Sequence, residues 1–476
     1  MMPMPSRFPR WFGCLAAGVV ISLSPVRGSA SGAIDFDTAW QRLDAANPAL
    51  RAQRLELEQA RAGASEARAR RLPTLGITGS VTRLPQDYGL SLDPLRSALA
   101  PVFPEIAAQI PHEYVVQPRQ FSLAAAKAVW PLYAGGRIRA GEVAALAQEA
   151  ASDAAVEDER GELALELVRR YFGVELARRA TDLRADALAT LLRHQEEAVK
   201  LESEGMIARA ERLRADVAVA EAQRDLSDAR RDSALAKAGL AALLASDMPV
   251  SVRTPLPPLP ASPALETWQR QARQHSPALA AARHQLARAE AGVRAARGEA
   301  RPQVALFGQY KLHQHDVSFI NPQHLTDWAV GIGLEWNLFD GGQIRSRVAA
   351  AYALADSVQA RYEDGARNLD LLVEQRYHAL LAAQARLQSF EATAELAEES
   401  LRAQRIAFAE GMARSLDVID AELSLSRLRL GELAARYEGV VALAGLHQAG
   451  GDVAAIRRLG MAAANDGNMS NWNTPP

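Results

Sequence analysis

The sequence predicts a mainly α protein with a small β part, built as two tandem repeats of long antiparallel coiled-coil helices, each carrying one β-hairpin. Three observations predict it. The chain is written twice: Asn47-Pro48-Ala49-Leu50 returns as Ser276-Pro277-Ala278-Leu279, and Gly63, Pro73 and Gly79 return as Gly292, Pro302 and Gly308, all 229 residues on. A second register follows at 206 residues, in which Trp130, Gly135-Gly136, Arg139, Tyr171 and Gly205-Met206 recur as Trp336, Gly341-Gly342, Arg345, Tyr377 and Gly411-Met412. Two constant offsets separated by one change of length describe a duplicated domain, whose halves differ mainly in one loop between about residues 82 and 121. The second observation is a pair of very long stretches free of proline, and the third is a pair of short stretches whose apolar residues alternate.

In chain order, residues 1–30 read as a secretory leader. Arg7 and Arg10 precede the apolar run Trp11 to Leu23, and Gly28-Ser29-Ala30 offers small residues for cleavage. The run stops at Pro25, short of the roughly 20 residues that span a bilayer. The single cysteine, Cys14, precedes most of this run, whereas a lipid anchor needs its cysteine after it. Removing the leader leaves no cysteine, hence no disulfide or cysteine-held metal. The 476 residues, 49% hydrophobic with a net charge of −2, can bury a large core and show no basic excess suited to nucleic acid.

The first repeat is placed at 31–248. Residues 44–71, rich in Ala, Arg, Glu and Leu, read as a helix closed before Pro73, as do 273–299 before Pro302. Beyond each proline the period becomes two: Leu75, Ile77, Gly79, Val81 in the first hairpin (74–133), and Val304, Leu306, Gly308, Tyr310 in the second (303–339). The return strand sets Trp328, Val330, Ile332, Leu334 and Trp336 against Asp327, Ala329, Gly331, Gly333 and Glu335. One face is apolar with aromatic ends, as in a membrane barrel strand; a half-buried soluble strand gives the same alternation. Four strands cannot close a barrel, and lipid tolerates no open edge, so strands that span a membrane must be shared among several chains.

Residues 138–202 read as one helix, on the order of 100 Å long, repeated from Ile344 to about Ala409. Glycine turns at Gly205 and Gly411 lead into returning helices over about 208–245 and 414–447. A stiff proline-rich linker, 249–263, separates the copies, and the second repeat covers 264–450. The polar tail, 451–476, reads as poorly ordered.

In this order, twice over, these pieces resemble the TolC family of outer-membrane efflux proteins. The most specific matches are Trp336-Asn337-Leu338-Phe339-Asp340-Gly341-Gly342, similar to that family's strand-to-helix junction, and Gly411-Met412-Ala413-Arg414-Ser415-Leu416-Asp417-Val418-Ile419-Asp420-Ala421, similar to its periplasmic tip. The resemblance covers about residues 35–450. It implies a homotrimer whose chains each give four strands to one twelve-stranded barrel, continued by a helical tunnel through the periplasm. It implies a passive exit duct in the outer membrane of a Gram-negative bacterium. The duct would serve a tripartite efflux or type I secretion system, joined by a periplasmic adaptor (membrane fusion) protein to an inner-membrane pump of RND, ABC or MFS type.

The resemblance also places a gate. Asp417 and Asp420 match the family's constriction aspartates; three residues apart, they share one helix face. Six such carboxylates around one axis should repel, raise some pKa values and favour cations. The bland alternative is a pair of solvated acids at a helix start, where the dipole favours negative charge. Glu211 is the first-copy counterpart of Asp417. The family's arginine two residues after the tip glycine is replaced by Ala413, with Arg414 adjacent but turned about 100° around the helix. Its tyrosine three residues before that glycine is Phe408, which cannot donate a hydrogen bond. A gate held by different bonds is therefore expected. Gly205, Met206, Gly411 and Met412 match the places where family members meet the adaptor, though a purely structural turn explains them as well.

Other motifs carry less. His313, His315 and His324 with Asp316 crowd one hairpin loop, where the first two could share a strand face and hold a metal, but loop histidines usually bind nothing specific and no metal is assigned. Gly331-Ile332-Gly333 lacks the third glycine of a dinucleotide loop, and Gly135-Gly136 and Gly341-Gly342 read as strand-to-helix turns rather than phosphate cradles. No motif arranges a nucleophile, base and orienting group, so neither an enzyme nor a cofactor is expected. The competing class is a periplasmic coiled-coil adaptor or scaffold without a pore, which explains the helices but poorly explains hairpins with aromatic ends.

Overall fold

A computed structural model describes residues 33–313 and 326–469. The leader expected over 1–30 and the loop residues His315, Asp316 and His324 lie outside them. The first repeat opens with α1 (Phe36–Ala46) and α2 (Pro48–Ala69), and the second with α7 (Leu265–His275) and α8 (Pro277–Gly298). The helices expected over 44–71 and 273–299 each break at the residue before a proline, and the chain ahead of each break forms a helix of its own. Asn47 Oδ1 accepts from Ala49 N at 2.9 Å and Leu50 N at 3.3 Å, and Ser276 Oγ from Leu279 N at 3.5 Å. Proline is preorganised for the first helical position and lacks the N–H that a continuing helix would need, so the repeated Asn/Ser-Pro pair stops one helix and starts the next.

The strands follow. β1 (Thr74–Arg83) and β4 (Gln120–Ala134) form the first hairpin, β5 (Gln303–His313) and β6 (Thr326–Glu335) the second, and together they make one antiparallel sheet in the order β1-β4-β5-β6. Register puts Leu75, Ala128, Gly308 and Val330 across one row and Trp130, Leu306 and Ile332 across the next row of the same face, so all four apolar sets fall on a single face. That face is bare in the isolated chain, with Trp328 77% and Ile332 68% exposed. The opposite face carries Thr78, Lys127, Gln309, Lys311 and Glu335. Among the described residues, β1 pairs only with β4 and β6 only with β5, leaving the outer edge of each unpaired. The long first loop is more than a connection: it holds β2 (Tyr88–Ser91), α3 (Asp93–Leu99), α4 (Pro104–Gln109) and β3 (Glu113–Gln117), with β2 and β3 paired as a separate ribbon. Two of its six prolines, Pro94 and Pro104, sit at the first turns of α3 and α4 and start these short helices.

Each hairpin feeds a helix of 67 residues, α5 (Arg137–Ser203) and α9 (Gln343–Ala409), and each returns through one of 35, α6 (Arg209–Leu243) and α10 (Ser415–Ala449). At 1.5 Å per residue the long helices run on the order of 100 Å. They start where Gly135, Gly136, Gly341 and Gly342 all hold φ between 63° and 92°, a left-handed turn that a side chain resists. The Asp340 carboxylate accepts from Gly342 N at 2.9 Å and Ile344 N at 2.6 Å, which caps α9 and holds that carboxyl below the usual range. Among the described residues no helix is long and apolar enough to cross a membrane.

Midway along the shaft the helices are tied by a knot of large side chains. Phe36, Trp40, Tyr171 and Phe172 pack with Leu165, Leu240, Val440 and Ile456. Tyr171 Oη donates to Ile34 O at 2.8 Å and accepts from Thr254 N at 3.2 Å, joining the linker and the first strand-like residues to α5. The tail departs from expectation here. Residues beyond Gly451 form α11 (Val453–Met469), because Ile456 is fully buried in the knot and the absence of a side chain at Gly460 leaves room for the Phe36 ring. Polarity of the last residues hid this apolar face, which Val453 and Leu459 share with Ile456.

Candidate functional site

The two helical hairpins end side by side at the tip farthest from the sheet. Each turn is built alike. Gly205 and Gly411 hold φ of 74° and 73°, while Met206 N donates to Leu201 O at 2.9 Å and Met412 N to Ala407 O at 2.8 Å. These 6→1 bonds satisfy carbonyls at the helix end, and they need a left-handed residue between. Met206 and Met412 are left exposed, Met412 at 73%. Met206 Cε comes within 3.7 Å of where a Cβ on Gly411 would sit, so the two tips touch.

Of the five expected gate residues, three converge on the start of α10. Asp417 Oδ2 accepts from Arg414 N at 2.9 Å, and Arg414 Nη2 donates to Asp417 Oδ1 at 3.1 Å. From the other repeat, Glu211 Oε2 accepts from Ser415 N at 3.0 Å. Two carboxylates thus satisfy orphan N–H groups at one helix terminus. The equivalent start of α6, at Ala208, has no side-chain cap, so the copies are unequal here. Arg414 holds the Asp417 carboxyl below its usual value, mainly through the side-chain hydrogen bond. Within one protomer this is opposite to the rise expected from carboxylate repulsion, because Arg414 supplies the nearest charge. Asp420, one turn on, is exposed.

Phe408 is elsewhere. It is 0% exposed, in a cluster with Leu201, Leu401, Val418 and Leu425 that seals the four helices below the turn. Its ring centroid lies 4.5 Å from that of His194. Sequence reasoning missed His194, which sits mid-helix in α5 without a motif. It is 3% exposed, and its Nε2 is 2.7 Å from the equally buried Ser415 Oγ. Its Nδ1 has no hydrogen-bond partner. Burial, helped by the Arg405 charge, pushes its pKa down to about 4, so the ring is neutral at neutral pH. Beside it, Glu422 pairs with Arg405 at 3.4 Å, and burial raises its pKa against the pull of Arg405, Arg429 and Arg193. The only signal for this group was position: His194 lies eleven residues before Gly205, three helical turns into the expected tip.

A four-stranded sheet with one aromatic-ended apolar face, set on a shaft of this length and ending in paired turns, defines a subunit of a barrel-and-tunnel channel. The solved outer membrane protein VceC from Vibrio cholerae shares the fold, with a TM-score of 0.73 over 87% of this chain and 96% of that one, at 19% identity. The chain belongs to the outer membrane efflux protein family, whose model matches residues 39–246 and 268–452. Among curated relatives, the cobalt-zinc-cadmium resistance protein CzcC of Cupriavidus metallidurans is 25% identical over 315 residues, 65% of this chain and 72% of that protein. The alkaline protease secretion protein AprF of Pseudomonas aeruginosa is 28% identical over 168 residues, 35% of each chain. The family and fold are those of channels. Among the described residues no group of three or more His, Cys, Asp or Glu side chains could hold a metal ion.

Proposed function

We propose that this chain forms, as a homotrimer in the outer membrane of a Gram-negative bacterium, the passive exit channel of a tripartite efflux or type I secretion assembly. The observation that carries the reading is the sheet: an apolar face with aromatic ends, and two unpaired edges that three copies would close into twelve strands. A scaffold without a pore has no use for that face. The periplasmic end is gated by the Asp417 and Asp420 carboxylates, with Arg414 and Glu211 holding the α10 start. The exposed Met206 and Met412 at the tips are the adaptor contact, since an unbranched thioether side chain adapts to a partner surface. The inner-membrane pump, of RND, ABC or MFS type, selects the cargo. Relatives named for metal resistance and for protease secretion fit a duct that adds little selectivity of its own.

Single-channel conductance in a planar bilayer tests this, comparing wild type with Asp417→Ala/Asp420→Ala. The expected wild-type current is small and cation-selective, and the variant current larger with reduced selectivity. Equal currents and selectivity would remove the acidic gate. Failure of both folded proteins to insert would favour the periplasmic scaffold.

A further inference from the structure

The junction between sheet and shaft carries a second concentration of charge that an exit duct does not need. Arg294 and Arg297 lie in the last two turns of α8, and Arg301 follows three residues past its end. Arg139 of α5 faces them, with Gly135 and Gly136 between, and the four arginines line a cavity of about 300 Å³. Among the described residues no carboxylate comes within 4.0 Å of any of the four. Of the acids nearby, Glu142 is tied to Arg71 and Glu299 to Arg347 at 2.7 Å, and Glu290, one turn before Arg294, is exposed to solvent without reaching it. Among the described residues, only the Arg297 side chain of the four has a partner, the Tyr352 ring 4.9 Å from it. All four arginines are exposed. Four like charges around one small cavity repel each other, so the arrangement is set up for an anion supplied from outside.

Position says which anion. Arg139 also lines the adjoining cavity formed with Trp130, Tyr133 and Arg71. Trp130 and Tyr133 pair with Leu306 and Val304, and so belong to the apolar face of the sheet. The cluster therefore sits on the outer side, immediately beyond the last apolar row, at the level where a bilayer places its headgroups. Arg288, nine residues and half a turn away from Arg297, faces the other way and bonds Gln148 Oε1 at 2.7 Å. The duplication accounts for only half of the cluster: Arg139 and Arg297 have counterparts in Arg345 and Arg68, whereas the counterparts of Arg294 and Arg301 are Ser65 and Leu72.

We propose that Arg139, Arg294, Arg297 and Arg301 form a binding site for the phosphate of an anionic glycerophospholipid in the periplasmic leaflet. The planar guanidinium fork matches two phosphate oxygens at once, and the acyl chains would lie against the Trp130 and Tyr133 rows of the sheet. The site rests on the outer-membrane reading above, and it would pin the barrel's depth where strand becomes helix.

The test uses the full-length protein purified in detergent, with lipid binding followed by native mass spectrometry. Wild type should retain phosphatidylglycerol in preference to phosphatidylcholine of the same acyl chains. Arg294→Gln/Arg301→Gln should bind it about thirtyfold more weakly, at roughly fivefold per arginine lost, whereas Arg288→Gln should match wild type. Equal phosphatidylglycerol affinity in wild type and double variant, no preference over phosphatidylcholine, or displacement of the lipid by millimolar inorganic phosphate would each overturn the site. Co-flotation with vesicles separates the two readings. If both proteins float and the double variant alone loses the lipid, the site stands. If neither floats, the membrane reading fails and takes the proposal with it.

Discussion

Mild acid should loosen the helix tips, and His194 should be the reason. In the folded chain its pKa is pushed down to about 4, while an unfolded histidine titrates near 6.5. The opened tip therefore binds a proton that the closed tip refuses. Stability contributed by the neutral ring is fully present above about pH 6.5, falls as pH drops through the window to about 4, and is constant below it. At about pH 4.5 the full shift corresponds to about 2.5 kcal/mol, and to on the order of 2 kcal/mol once solvent screening is allowed for. The neighbours do not mimic this. Asp417, with its pKa lowered, loses its contribution only at more acid pH, and Glu422, with its pKa raised by burial, gains stability as it protonates and so works in the opposite direction. The informative quantity is accordingly the difference between wild type and His194→Gln, which keeps a polar side chain near Ser415 Oγ but cannot titrate. Hydrogen exchange of peptides spanning residues 198–210 and 405–419, measured at about pH 7 and about pH 4.5 after correction for intrinsic rates, reads it directly. Protection of both turns in wild type should fall about thirtyfold between the two conditions, and in His194→Gln by only a few-fold. Equal losses of protection in the two proteins would refute the argument.

Two further outcomes follow from the sheet and the knot. Ile332→Arg places a charge on the middle of the apolar face and should cost about 2–4 kcal/mol in the membrane, seen as a loss of protein from the membrane fraction, while Gln309→Arg on the opposite face should leave insertion intact. Tyr171→Phe leaves the Ile34 carbonyl and the Thr254 amide without their partner inside the knot, which should lower the denaturant midpoint by the equivalent of about 1–3 kcal/mol. Tyr377→Phe, at the repeat-equivalent but only partly buried position, should cost less.

What could be read from the sequence was whatever repeats or has a period. The long helices were legible almost to the residue, 138–202 against Arg137–Ser203, because proline and glycine punctuate their ends. So was the membership of each sheet face, since alternation is all that a strand needs to declare its sides. The breaks at Asn47 and Ser276 were visible as a repeated motif but not as breaks, because the flanking residues are all strong helix formers. α11 depends on Val453, Ile456 and Leu459 entering a knot assembled from distant segments, and locally only the Asp452 cap marks it. At the tip, the sequence pointed to Asp417 and Phe408 without saying that one is tied to Arg414 and the other fully buried. His194 was invisible because its partner, Ser415, lies 221 residues away. Pairings across repeats are set by packing, and a single chain read in order has no signal for them.

The β4–β5 seam has a meaning beyond this chain. It joins the last strand of the first repeat to the first strand of the second. At the chain's free margins, β6 is again a repeat's last strand and β1 a repeat's first. A closed ring of three chains would therefore contain six joints of last strand to first, three of them linked through the shaft and three formed on assembly. Each chain thus already holds one joint of the kind that such a ring would form between neighbours. The long insertion between β1 and β4, present in one repeat only, is what lowers that six-fold pattern to three-fold and gives the rim its handed alternation of large and small loops.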